Sequence, residues 1–224
     1  MVTFQSCTGA AYAALAVSIG LLITASTAEA VGTQKGGSDW PCPQRKVTTL
    51  GASELQWEGP PVETVKDWRQ DPAVNALVTT LANRRVPIEQ AVKALKDFAQ
   101  AVPVAERPAR LTAVFAGLLE TVNQYRHSVI DGIERFDKRQ KLRAGEIEEE
   151  GIKLGELQKK ADTSKDEASK AEYQKAVELY EWNTRVFEER RQNLPLACEI
   201  PPAIDARMFD LVREIRALMG PQPG

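Results

Sequence analysis

The sequence has little of what catalytic and metal sites are usually built from. It contains a single histidine, His127, in 224 residues, and aromatic residues make up 6% of the chain. One histidine gives little basis for a histidine metal site or a histidine-centred triad. No phosphate-binding glycine loop, dinucleotide fingerprint or G-x-S-x-G sequence occurs. We therefore expect no metal, no cofactor and no catalytic residue, and we interpret the chain as a non-enzyme.

An excess of charge of either sign is also lacking. Lys and Arg together number 29, and Asp and Glu number 31, which gives a net charge of −2. Nucleic-acid binding depends on a basic face, and attraction to an anionic membrane depends on a basic segment. The composition therefore favours neither nucleic acid nor a charged membrane surface as the partner.

Long apolar runs are absent except near the N-terminus. The stretch AAYAALAVSIGLLITAST covers residues 10–27 and is followed by Ala28-Glu29-Ala30, a small-x-small pattern. These features are typical of a secretory signal, so we expect residues 1–30 to be removed and the protein to be periplasmic. The alternative is an uncleaved segment that anchors the chain in the inner membrane, although ~20 apolar residues are usual for a span. Membrane contact is expected only in that second case.

Cysteine is scarce, and its positions predict one disulfide. Cys7 precedes the apolar run, so Cys42 and Cys198 are the two cysteines that remain after cleavage. An even pair in an exported protein favours a disulfide, and no C-x-x-C motif indicates a redox site. Prolines near both residues predict that both thiols lie in extended, non-helical segments. In the chain-entropy account, closing so long a loop stabilises the fold by ~4–5 kcal/mol.

Proline, glycine and apolar spacing divide the rest of the chain into regions. Residues 31–61 predict a loop-rich segment with a short turn near residues 52–56. Apolar residues at helical spacing predict a small all-α bundle, the body of the protein, from residues 62–133 and 195–219. Its helices are expected at 62–70, after Asp71-Pro72, after Pro87, from Ala109 onward, and at 203–219. Residues 220–224 predict a frayed tail.

Residues 134–194 differ from the body in both charge and period. Residues 134–193 hold 29 of the 60 charged side chains. From Leu111 to Phe136, apolar residues recur at intervals of four and three, which is typical of coiled-coil-like packing. The pattern then thins but continues through Ile147, Leu154 and Leu157, and we expect one helix from Ala109 to about Lys160. The same spacing returns from Tyr173 onward, so we expect a long antiparallel two-helix hairpin that projects from the bundle.

The turn of this hairpin is predicted at residues 162–166. Ser164 and Glu167 fit a capping box at the start of the second helix. Folding the chain back about Ser164 places Leu194 opposite Glu134. The disulfide is then expected to hold the loop-rich segment at the base of the hairpin.

The leading hypothesis is a protein-interaction or scaffolding role for the hairpin. The partner would be an unknown envelope protein or a second copy of the chain, which would make the protein a homodimer. The predicted contact residues form the hairpin tip: Asp162, Thr163, Ser164, Lys165 and Asp166.

Three other interpretations remain open. Trp40, Trp57 and Trp68 would suit a small ligand or a cell-wall glycan if they formed a stacking platform, although pinning the loop to the body is the simpler interpretation. A chaperone-like holdase would grip unfolded clients with the hairpin. An enzyme would use a carboxylate pair, but pairs such as Asp67 and Asp71 are too common on helix surfaces to indicate catalysis. The acidic residues at 146–150 are interpreted as solvated charges rather than as a metal site.

Overall fold

The computed structural model describes residues 40–65 and 67–220, and within them it contains helices and loops but no strand. The predicted signal at 1–30, the first part of the loop-rich segment at 31–39 and tail residues 221–224 lie outside the described residues. The described part is an all-α bundle with a long two-helix hairpin, as the sequence predicts. Its helices are α1 (Pro72–Ala82), α2 (Ile88–Ala101), α3 (Arg107–Ser164), α4 (Glu167–Arg191), α5 (Asn193–Cys198) and α6 (Ile200–Met219).

The helix α3 is the longest element and belongs to both the body and the hairpin. It has 58 residues, which at a rise of 1.5 Å per residue is about 87 Å. Pro108 lies in its first turn, where a missing N–H is tolerated. Gly145, Gly151 and Gly155 do not interrupt it, and it ends at Ser164 rather than near Lys160.

The core of the body lies between α1, α2, α6 and the first half of α3. The spacing of apolar residues predicted these faces correctly, because the seam residues Leu111, Phe115 and Leu118 are fully buried. They pack against equally buried residues of the neighbouring helices, among them Val74, Leu81, Leu95, Met208, Leu211 and Ile215.

The helix predicted at 62–70 is wrong. The structure has two short 3-10 helices there, Val62–Thr64 and Trp68–Gln70. Val65 is extended between them, and three of the four residues 62–65 are β-branched, which lowers the helix propensity there. The break allows Trp68 to turn inward, where its indole lies against the backbone at Gly117 of α3, too close to leave room for a Cβ.

The hairpin is formed by the second half of α3 and by α4. Half-buried or buried positions recur at intervals of four and three along both helices, so the spacing near 3.5 residues is present in the structure. These positions are Ile147, Glu150, Leu154, Leu157 and Ala161 in α3, and Ser169, Tyr173, Ala176, Tyr180, Asn183 and Phe187 in α4.

The turn differs from the predicted capping box. Ser164 is the last residue of α3, and its hydroxyl donates to the Lys160 carbonyl. The N-cap of α4 is Asp166, whose carboxylate accepts from the Ser169 N–H at 2.8 Å. Lys165 between them has a φ of 56°, the left-handed conformation that ends many helices.

The predicted alignment of the two hairpin helices is centred about two residues too early in the sequence. The Nζ of Lys160 lies 2.8 Å from the Glu172 carboxylate, and the Asn183 amide donates to Glu150 at 2.9 Å. Both pairs are centred near Asp166 rather than on Ser164. The difference arises because α3 continues to Ser164 before the chain reverses.

The C-terminal helices begin earlier than predicted. The helix expected at 203–219 starts at Ile200, because Pro201 and Pro202 occupy its first turn, where proline is tolerated. The short α5 precedes it and ends at Cys198. Cys42 is non-helical as expected but lies in a bend, and the expectation is wrong for Cys198, whose neighbouring Pro195 again lies in a first helical turn.

The predicted disulfide is present. Cys42 and Cys198 are bonded, with their Cα atoms 5.5 Å apart. Both cysteines are buried in a small cluster with Ile133 of α3, and Trp40 and Leu194 pack against that cluster. The bond thus holds the loop-rich segment at the base of the hairpin.

Arg126 of α3 is a second attachment point for this segment. Its side chain is 3% exposed and forms an ion pair with the half-buried Asp205 of α6. Its Nε donates to the Val47 carbonyl at 2.9 Å. Burial raises the pKa of the Asp205 carboxyl, against the lowering effect of the Arg126 charge. Arg126 therefore connects three parts of the chain through one buried cation.

We expect the double variant C42A/C198A to fold with a free energy of unfolding lowered by about 2–5 kcal/mol, the usual effect of losing a native disulfide. Urea unfolding followed by far-UV circular dichroism measures it. Reductant should lower the midpoint of the wild type and leave that of the variant unchanged. An equal midpoint for the wild type with and without reductant would contradict this role.

We expect Arg126→Met to lower the free energy of unfolding by about 3–5 kcal/mol at neutral pH, because it leaves the Asp205 carboxylate without its partner. This loss of stability should shrink as pH falls. The Asp205 carboxyl, whose pKa is raised in the folded state, opposes folding only while it is ionised. It is neutral below its unfolded pKa of about 3.9. Urea unfolding between neutral and acid pH tests this. The control is Arg135→Met, which removes an exposed cation from the same helix. A loss of unfolding free energy that does not change with pH would contradict the assignment of the unpaired Asp205 carboxylate as its cause.

Candidate functional site

The hairpin buries very little of its own surface. Between Lys138 and Ala197, only Ala161 and Ser169 are buried. The other seam positions are half-buried, and the outward positions are mostly charged and exposed. Two packed helices with so small an interior leave most of their surface available for contact with another molecule.

Large apolar side chains lie exposed among the charges of the hairpin. Leu142 is 62% exposed, Leu179 60% and Trp182 57%. Single exposed apolar residues are common on protein surfaces, but clustered ones often mark an interaction site. These three residues can form one interaction site only if they lie on the same side of the hairpin.

Helical spacing places Leu179 and Trp182 on one side, since they are three residues apart, and the half-buried Val186 is one turn further on. Residues seven apart lie on the same side of a helix, so Leu179 is on the same side as Glu172. Glu172 pairs with Lys160 of α3 across the hairpin. We call the surface of Leu179, Trp182 and Val186 the Trp182 face.

Leu142 extends this surface on the other helix. Glu146 and Lys153 precede Lys160 at intervals of seven and lie on its side of α3, and Leu142 is one turn before Glu146. Its side chain thus belongs to the same side of the hairpin as the Trp182 face. Ile152, also exposed, is two residues from the seam positions Glu150 and Leu154 and therefore points away from α4.

A charged side chain covers part of the tryptophan. The guanidinium of Arg185 lies 4.7 Å from the centre of the Trp182 ring. A cation over an indole is attracted by the ring electrons and leaves the other ring face available. Tryptophan and arginine are the residue types most often found at the energetic centre of protein interfaces.

The predicted tip residues have a local structural role. Asp162, Thr163, Ser164, Lys165 and Asp166 are all exposed. The Thr163 hydroxyl donates to the Lys159 carbonyl, as Ser164 does to Lys160. The nearby Ser164 hydroxyl, together with hydrogen bonds from the N–H and the hydroxyl of Ser169, holds the pKa of the Asp166 carboxyl well below its usual range. Three of the five side chains thus form the turn itself.

The three N-terminal tryptophans do not form one platform: Trp57 and Trp68 pack in the core of the body, and Trp40 packs in a separate cluster. Trp57 stacks on Phe115 with ring centres 4.0 Å apart, and Trp68 donates to Glu120 at 2.9 Å. Trp40 lies in the separate disulfide cluster and donates to the Gln44 carbonyl. This arrangement favours pinning of the loop over ligand stacking.

The acidic cluster pairs with neighbouring side chains. Arg143 contacts Glu146 at 2.7 Å and Glu150 at 3.1 Å, and Asn183 donates to Glu150 across the hairpin. Within the described ranges, no group of three or more His, Cys, Asp or Glu residues is arranged to hold a metal ion.

Comparisons with known proteins add no assignment: no family model, no curated protein and no solved structure matches this chain. None of the helices in the described part is both long and apolar enough to cross a membrane.

Sequence reasoning missed Trp182. The three N-terminal tryptophans drew attention because they are close together in sequence, whereas the fourth stands alone. Its position in the sequence indicates an outward side chain, because Trp182 lies two residues after Tyr180 and one before Asn183 and is therefore not on the seam between the two helices. A tryptophan at an outward position of a charged helix is unusual enough to be noticed.

We expect Asp166→Ala to lower the stability of the hairpin end by about 1 kcal/mol, the usual effect of losing an N-cap side chain. Hydrogen exchange should show faster exchange at the start of α4 and unchanged protection in α1 and α6. Asp162→Ala is the control, because Asp162 does not cap α4. Loss of protection throughout the body would contradict the view that the turn stabilises only the outer hairpin.

Proposed function

We propose that the protein is an exported, periplasmic interaction or scaffolding protein that holds a partner along its hairpin. The observation that carries the proposal is the Trp182 face, which exposes Leu179 and Trp182 on a projection whose own core is minimal. The partner is another envelope protein or a second copy of the chain. The protein has no catalytic role in this proposal.

Export is supported by two independent features. The apolar run at 10–27 with its Ala28-Glu29-Ala30 ending is typical of a secretory signal. The bonded Cys42 and Cys198 are compatible with an oxidising compartment. In a bacterium, both features together favour the periplasm.

The charges of the hairpin suit a specific protein contact. Lys160–Glu172 and Lys170–Glu167 are exposed ion pairs and add little to stability. Charged residues around an apolar centre form the polar rim that interfaces commonly have, and they orient the partner on approach. The apolar centre supplies the affinity, and the rim supplies the specificity.

We expect crosslinking in the native periplasm, followed by purification, to capture a partner with the wild type and much less of it with L179A/W182A. Truncating a central tryptophan at an interface commonly costs about 2 kcal/mol or more, roughly a thirty-fold loss of affinity. I152A is the matched control, because Ile152 has similar exposure on the outer side of α3. D162A/K165A tests the tip separately.

The outcomes are distinct. Capture lost in L179A/W182A but retained in I152A supports the Trp182 face, and a crosslinked product of two copies identifies self-association. Capture lost only in D162A/K165A would move the contact to the tip. Equal capture by all variants would overturn a role for the hairpin, provided that circular dichroism shows all of them folded.

A holdase role is the second candidate, favoured by the same exposed Leu142, Leu179 and Trp182. It differs from a specific contact because unfolded clients of unrelated sequence would all bind. Suppression of aggregation of several unrelated unfolded proteins, lost in L179A/W182A, would distinguish it from the first proposal.

A further inference from the structure

A cavity opens into the body on the side formed by α1, α3 and α6. Its volume is about 380 Å³, within the usual range of small-molecule sites. Most of its lining is apolar, supplied by Leu81, Val122, Tyr125, Ile204, Met208 and Leu211. An apolar cavity of this size suits the hydrocarbon part of a small ligand.

Two arginines, Arg84 and Arg207, also line the cavity. Arg207 of α6 directs its guanidinium to the end of α1 and the chain after it, where its Nε, Nη1 and Nη2 donate to the carbonyls of Leu81, Asn83 and Val86 at distances of 2.9 to 3.3 Å. Within the described residues it forms no ion pair with a carboxylate, and partial burial alone lowers its pKa. Its positive charge is thus held in place by neutral groups.

Arg84 is exposed beside the same cavity. Its guanidinium lies 4.8 Å from the centre of the Tyr125 ring, and Tyr125 is itself a cavity residue. In the part of the chain that the structure describes, Arg84 likewise forms no ion pair. Three other arginines of the body do form ion pairs: Arg69 with Glu120, Arg110 with Asp71 and Arg126 with Asp205.

We propose that this cavity binds a small amphiphilic carboxylate, with the hydrocarbon chain among the apolar residues and the carboxylate between Arg84 and Arg207. Arg84 offers its guanidinium to the carboxylate through charge-assisted and often bidentate hydrogen bonds, whereas Arg207, whose N–H groups mostly bind carbonyls, contributes mainly its positive charge. An anionic head would supply the negative charge that neither arginine receives from the described protein groups. This site is separate from the Trp182 face, and the proposal does not depend on the hairpin.

The ligand test uses three probes of one chain length on the full chain: octanoate, 1-octanol and octylammonium. Isothermal titration calorimetry should show saturable binding of octanoate, at least ten-fold weaker binding of 1-octanol, and none of octylammonium. Equal binding of octanoate and 1-octanol would overturn the role of the arginines. No binding of octanoate at millimolar concentration would overturn the site.

The residue test compares two neighbouring charge reversals. R84E should weaken octanoate binding at least ten-fold, whereas R85E, which changes the net charge equally at an exposed position outside the cavity, should change it less than two-fold. An equal effect of both would indicate general charge attraction and overturn the proposal.

Filling the cavity tests the hydrocarbon part of the site. Thr79 is an exposed residue of α1 that lines the cavity. T79W should abolish octanoate binding, while T79V, which keeps the residue volume, should retain it. Circular dichroism checks the fold of each variant, and full binding by a folded T79W would contradict the location.

Discussion

The architecture depends on a single uninterrupted helix that belongs to both parts of the molecule. The first half of α3 is buried in the body through Leu111, Phe115 and Leu118, and its second half forms one side of the hairpin. No loop or proline separates the halves, so the packing of the body sets the direction in which the hairpin leaves it. The exposed apolar residues Leu179 and Trp182 are therefore presented at a defined place relative to the body.

The attachments of the loop-rich segment are concentrated where the hairpin begins. Asn123 exchanges two hydrogen bonds of 2.9 Å with the backbone of Leu50, Arg126 binds the Val47 carbonyl, and Glu134 pairs with Lys46. The disulfide cluster adds Ile133 to this stretch of α3. The segment thus supplies at the base of the hairpin the packing that a third helix would otherwise provide.

The sequence predicted the features that depend on local pattern. Apolar spacing predicted the core faces of α1, α2, α3 and α6, and the cysteine pair predicted the disulfide, because each is fixed by residue type and spacing. Features that depend on competition between neighbours were not predictable in the same way. Ser164 extended α3 instead of capping α4, and Asp166, two residues later, supplies the cap. The outward position of Trp182 and the cavity beside Arg207 depend on packing between distant segments, which spacing alone does not give.

The hydrogen bond between Glu150 and Asn183 has a consequence for the mechanics of the hairpin. Both side chains occupy seam positions where most neighbours are apolar or small. Sliding one helix by a heptad in one direction would place Glu150 opposite Ala176 and lose this hydrogen bond, so the bond favours the observed alignment. A hairpin held in one alignment has one length. It can act as a rigid spacer that holds whatever it contacts at a set distance, whereas a hairpin free to slide would act as a tether of variable reach.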